Sequence, residues 1–99
     1  MKSEIEKQIP ARVVAAFGDL AIGMSSEAQS RIFMLAEELV KAVWIRKIYA
    51  ALPADKTTVD EHFLDQELEQ FLNEAVEESH KRFAAIAESV RKRKVPGLP

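Results

Sequence analysis

The sequence predicts an all-α protein: a three-helix domain with a long antiparallel helical hairpin, expected to assemble as a dimer. Three observations carry that expectation. Ala, Leu, Glu, Lys and Arg dominate, and only three glycines and four prolines interrupt them, a helix-forming composition. Apolar residues recur three and four positions apart in three separate stretches, which is the spacing of one face of a helix. The breaks between stretches carry turn chemistry, Gly23-Met24-Ser25-Ser26 and Pro53-Ala54-Asp55-Lys56, residues that cap and stop helices.

The first stretch places Ile5, Ile9, Val13, Ala16, Phe17 and Leu20 on one stripe. Pro10 lies inside it, where it removes a backbone hydrogen bond and bends the helix or marks its true start. A helix is expected over residues 10–20. Ser3 and Glu6 fit a capping box ahead of it, and the first ten residues stay open between helix, strand and coil.

Gly23 suits the end of that helix, and Ser26 with Gln29 reads as a capping box for a second helix over residues 27–52, stopped by Pro53. Its two halves differ. Ile32, Phe33, Leu35, Ala36, Leu39, Val40 and Val43 read as one apolar side, opposite Glu37, Glu38 and Lys41. Trp44, Ile45, Ile48, Tyr49 and Leu52 then gather on the side those charges held, while Arg46 and Lys47 take the other. The apolar side is expected to change over mid-helix.

Thr58 and Glu61 form a further capping box, opening a third helix over residues 59–94. Its core stripe is Leu64, Leu68, Phe71, Leu72, Ala75, Val76, Phe83, Ile86, Ala87 and Val90, with Val59 and Phe63 on nearly the opposite side. The domain organisation is one helical domain over residues 1–94 and a C-terminal tail over 95–99, where two prolines and a glycine cannot continue a helix.

The apolar residues near the hairpin turn carry the functional expectation. Trp44, Ile45, Ile48, Tyr49 and Phe63 cannot all share a core with Ile32 and Leu39, so they form a satellite core with the first helix or a partner-binding face. A chain of 99 residues has little to spare for covering such a patch, which favours the second. The expected function is a non-catalytic interaction module, a small regulator, inhibitor or adaptor acting as a homodimer or on a protein partner.

Charge along the third helix is polarised. Asp60, Glu61, Asp65, Glu67, Glu69, Glu74, Glu77 and Glu78 precede Lys81, Arg82, Arg91, Lys92, Arg93 and Lys94. Helix-dipole complementarity accounts for the terminal turns. Antiparallel self-pairing or attraction of a basic partner would account for the longer acidic block. The Arg91-Lys92-Arg93-Lys94 run reads as a solvated helix end.

Other chemistries find little support. The chain has no cysteine, so disulfides, thiolate metal sites and cysteine nucleophiles are excluded. Glu77-x-x-His80 has di-metal ligand spacing, but no second such pair exists and both residues lie opposite the apolar stripe. His62 reads as a surface residue. No glycine-rich elbow exposes a serine and no glycine cluster cradles phosphate. No enzymatic activity, cofactor or metal is therefore expected. The net charge of −2 gives no whole-molecule attraction to nucleic acid or anionic membrane. With no apolar run near the roughly 20 residues of a membrane span, the expected compartment is the cytoplasm.

DNA binding is the alternative function. Pro10-Ala11-Arg12-Val13 through Gly23-Met24-Ser25-Ser26-Glu27 to Arg31-Ile32 resembles the ribbon-helix-helix family of dimeric DNA-binding proteins. In that family a strand leads through a proline into two helices joined by a glycine turn. The resemblance covers about a quarter of the chain and implies a DNA-reading strand before Pro10. This sequence departs there, because Glu4 and Glu6 would set carboxylates against phosphates, beside Gln8. A helix-turn-helix about Gly23 is the other form of this alternative, with Asp19 and Gln29 where small or apolar residues are wanted.

Overall fold

The structure is a computed structural model and describes residues 3–93, except for the side chains of Ser3, Ala87, Val90 and residues 91–93. The proposed tail, the whole basic run over residues 91–94, and Ala87 and Val90 of the expected stripe lie outside the described side chains. Every regular element among the described residues is helical: α1 (Ser3–Glu6), α2 (Ile9–Phe17), a 3-10 turn (Gly18–Ala21), α3 (Ser26–Ala51), α4 (Val59–His62) and α5 (Asp65–Arg93). No strand occurs among them, so residues 4–8, where the ribbon-helix-helix resemblance implied one, are a helical turn and a bend instead.

Pro10 sits in the first turn of α2, where its missing N–H has no helical partner to lose. The helix starts one residue ahead of it, and α1 forms separately before. Lys7 and Gln8 join the two, with the Gln8 amide donating to the Ile5 carbonyl at 3.0 Å and the Arg12 amide to Gln8 at 3.0 Å. Between α2 and α3 the chain turns through Gly23 at φ 84°, a left-handed conformation that suits glycine. The cap of α3 is Ser25, not Ser26. Its Oγ accepts from the Ala28 amide at 3.2 Å, and Gln29 uses its side-chain amide on the carbonyls of Ala21 and Met24, both at 3.2 Å. Gln29 thus ties the turn shut rather than completing a box. At the far end Leu52 is extended, as a residue before proline prefers.

The third helix is broken where a continuous one was expected. Phe63 adopts φ −102°, ψ 142°, and α5 begins afresh after Leu64. Glu67 Oε1 accepts from the Leu64 amide at 3.0 Å, supplying the back-reaching half of a capping box. This break resets the helical phase. Phe63 and Val59 turn into the core, while Leu64, expected there, is 69% exposed. Leu68, Leu72, Ala75 and Ser79 form the buried row of α5. Ile86, also expected in the core, is exposed.

One apolar cluster runs through the molecule, from Ile5, Ile9, Val13 and Phe17 through Ala36, Val40, Val43, Trp44 and Ile48 to Val59, Phe63, Leu68, Leu72 and Ala75. The expected mid-helix change of side in α3 does not occur. Its buried row Ala36, Val40, Trp44, Ile48 follows a single four-residue ridge, which drifts about 40° around the helix per step. The drift looks like two faces in sequence and is one inclined seam in space. The packing of α3 on α5 is the most extensive, and α2 touches both. The result is long and thin, 58 × 24 × 16 Å. No helix among the described residues is long and apolar enough to cross a membrane.

Candidate interaction surface

The expected partner-binding residues separate. Trp44 is fully buried, and its indole Nε1 donates to the Leu68 carbonyl at 2.9 Å. That bond satisfies the one polar atom of a side chain otherwise suited to the core. Ile48 and Phe63 are buried in the same cluster, Phe63 meeting Phe71 edge-on at 5.5 Å. These three have no surface to offer a partner. The apolar residues near the turn form the core with Ile5 and Ile9, the alternative weighed against a partner face. Ile45 is half-buried and Tyr49 is 56% exposed, so only these two of the five reach solvent.

Exposed apolar surface lies elsewhere, on α2 and the outer side of α3. Between Ile9 and Ile22 the only charged residues are Arg12 and Asp19, and both lean toward α5. The Arg12 guanidinium donates to Gln8 Oε1 at 3.0 and 3.2 Å and also to the Asn73 side-chain oxygen. Asp19 meets His80 Nε2 at 3.1 Å. The opposite side of α2 is left with Pro10, Ala11, Val14 and Ala15, all exposed, Val14 at 52%. Across the seam, Met34 lines a shallow groove with Ile9, Pro10, Glu37, Glu38 and Lys41. Ile22, Met24 and Leu35 are exposed as well. Sequence reading placed Leu35 on the apolar side of its helix and did not single out Val14. The missing signal was available: a helix whose outward positions carry no charge.

His80 is not simply a solvated surface residue. Its imidazole packs edge-on against Phe17, centroids 5.4 Å apart, while its Nε2 faces Asp19. It fastens the 3-10 turn to α5. Glu77 pairs with Lys81 at 3.7 Å. His62 is exposed with its ring against Phe63 at 4.6 Å. Among the described residues no three His, Cys, Asp or Glu side chains converge as a metal-binding group.

The acidic block is largely engaged within the chain. Glu61 accepts from Thr58 at 2.7 Å, Glu67 caps α5, and Glu74 accepts from Gln70 at 3.4 Å. Glu78 bridges to Lys47 of α3 at 3.2 Å and to Arg82 at 3.2 Å. The Lys47 hydrogen bond, aided by the charges of Lys47, Arg82 and Arg46, holds the Glu78 carboxyl below the usual carboxylate range, with partial desolvation opposing. Asp60 and Asp65 also interact within the chain.

Searches among protein-family models, curated proteins and solved structures find no match to this chain.

Proposed function

We propose that the chain is a non-catalytic helical interaction module of the cytoplasm, a small regulator or adaptor that acts as a dimer and binds protein through exposed apolar helical surface. In this reading α3 and α5 form a long antiparallel hairpin and α2 lies across it. The observation that carries the proposal is the uncharged outward side of α2, Pro10, Ala11, Val14 and Ala15, with Pro10 and Met34 meeting at the α2–α3 groove, whose rim Glu6, Glu37, Glu38 and Lys41 complete. An amphipathic helix ordinarily puts charge on its solvent side. A contiguous apolar surface that the chain itself leaves uncovered is the kind that marks binding. The thinness of the molecule, 16 Å in one direction, supports the same reading, because the described residues supply no further layer to cover α2.

A photo-crosslinking residue at position 15, set against the same residue at position 56 in the distal loop, tests the proposal in the native cell. Discrete adducts are expected at position 15 and not at position 56. Equal, diffuse labelling at both would overturn it. Binding of random duplex DNA at low salt, measured alongside, is expected to be absent, and a salt-sensitive shift would favour phosphate recognition instead.

A further inference from the structure

The outer side of α3 carries a row that no element among the described residues covers fully: Ala28, Arg31, Leu35, Glu38, Ala42, Ile45 and Tyr49. Residues spaced three and four apart share one face of a helix, and this face gathers Leu35, Ala42, Ile45 and Tyr49 beside Arg31 and Glu38. It lies on the side of α3 away from the buried row Ala36, Val40, Trp44 and Ile48. Arg31, Leu35, Glu38, Ala42 and Tyr49 are exposed, and Ala28 and Ile45 half-buried.

We propose that this row is a self-interface, in which α3 of one copy pairs antiparallel with α3 of a second. The inference rests on the reading of the chain as a dimer and names the surface. Charge and size select the occupant and the register. Parallel self-pairing would set Arg31 against Arg31 and Glu38 against Glu38, like charges in the seam. An antiparallel register centred on Glu38 repeats the second fault. Centring the two-fold near Val40 removes it. Leu35 then meets Ile45 of the partner copy, Glu38 meets Ala42, and Arg31 meets Tyr49, each contact occurring twice as a two-fold interface requires.

The pairs fit chemically. Two branched aliphatic side chains meet, and a small alanine leaves room for the Glu38 carboxylate. That carboxylate comes beside Lys41 of the other copy, which flanks the seam. Glu38 has no ion pair among the described residues. Lys41 reaches only Glu6, at 3.4 Å and with both ends substantially exposed. Arg31, held on Glu27 at 3.1 Å, presents its guanidinium to the exposed Tyr49 ring, a cation–π pairing.

Because the chain contains no cysteine, disulfide trapping reports the register cleanly. Leu35→Cys and Ile45→Cys proteins, one of them tagged, are mixed and oxidised. The mixed disulfide is expected in several-fold excess over the Leu35→Cys homodisulfide, since the two Leu35 positions lie about 15 Å apart along the paired helices, beyond disulfide reach. Arg31→Cys with Tyr49→Cys, both at exposed positions, gives the same readout free of any effect on the core, the two Arg31 positions lying about 27 Å apart along the paired helices. Leu35→Arg is expected to halve the mass in light scattering without changing helicity or Trp44 fluorescence. Homodisulfides in equal yield would overturn the register. A dimer that traps through Ala15→Cys and not through α3 would overturn the interface while leaving the dimer intact. A monomer at every concentration would overturn both, and would leave the crosslinking of α2 to another protein unaffected.

Discussion

At the scale of single residues, two glycines and one serine make opposite demands. Gly18 has helical angles, φ −57° and ψ −34°, and a methyl group built on it meets nothing within 4 Å. Gly18→Ala is expected to raise stability by about 0.5–1 kcal/mol, by restricting the unfolded chain without cost to the folded one. Gly23, at φ 84°, also has room for a methyl group, but the backbone conformation opposes it. Gly23→Ala is expected to lower stability by about 1 kcal/mol, so urea midpoints should move in opposite directions for the two. Ser79 is fully buried, and its Oγ has no hydrogen-bond partner among the described residues. Burying a hydroxyl unpaired is unfavourable, and Ser79→Ala is expected to raise the urea midpoint by an amount equivalent to about 1 kcal/mol. The apolar spacing led past Ser79, because a serine on a core row looks like a gap. Only packing on every side reveals it as core.

Among elements, the helix ends and the bridge between α3 and α5 decide most. Ser25→Ala and Glu67→Ala each remove a cap, and each is expected to cost roughly 0.5–1 kcal/mol, read as lost stability in thermal unfolding followed by circular dichroism. The first end was announced one residue off, at Ser26. Thr58 does stand at the start of α4 as expected, but the second start at Leu64 and Glu67 was not announced, because a continuous helix was expected there. Ser25 replaced Ser26 because the turn from Gly23 puts Ser25, not Ser26, in the extended conformation a cap needs, ψ 159°. Glu78 joins α5 to Lys47 of α3, and its carboxyl is held low in the folded state. A carboxyl with a lowered folded pKa favours folding above its unfolded pKa, and that contribution fades as pH falls through its folded one. Glu78→Gln is therefore expected to be less stable than the parent at neutral pH. The difference should close in acid, which a pair of stability–pH curves would test; a gap that persisted in acid would rule this account out.

For the whole molecule, the single cluster from Ile5 to Ala75 means that α1 and α2 share one core with α3, α4 and the first half of α5. Trp44 sits in it, and Trp44→Ala is expected to cost about 3–5 kcal/mol. That is a large part of a typical domain's 5–15 kcal/mol. Helicity and the fluorescence of this sole tryptophan should be lost together on unfolding the parent. Tyr49→Ala, by contrast, is expected to leave the unfolding midpoint of the monomer within about 0.5 kcal/mol, as exposed sites usually do. The contrast separates what two neighbouring aromatics do in the same helix. One holds the fold, and the other remains available to a second surface.

The sequence by itself determined the helical class, the turns at Gly23 and Pro53, and the positions of the long helices within a few residues. These follow from local backbone preferences and apolar spacing. It also marked Trp44, Ile45, Ile48, Tyr49 and Phe63 as more apolar surface than one straight face could hold. Only the tertiary structure decided where that surface went. The inclined ridge of α3 and the phase break at Phe63 turn three of those residues inward, while Tyr49 and Leu35 stay outside. The direction in which a side chain points depends on helix phase and on the neighbour it meets. Spacing along one strand of sequence carries the first only until a break, and the second not at all.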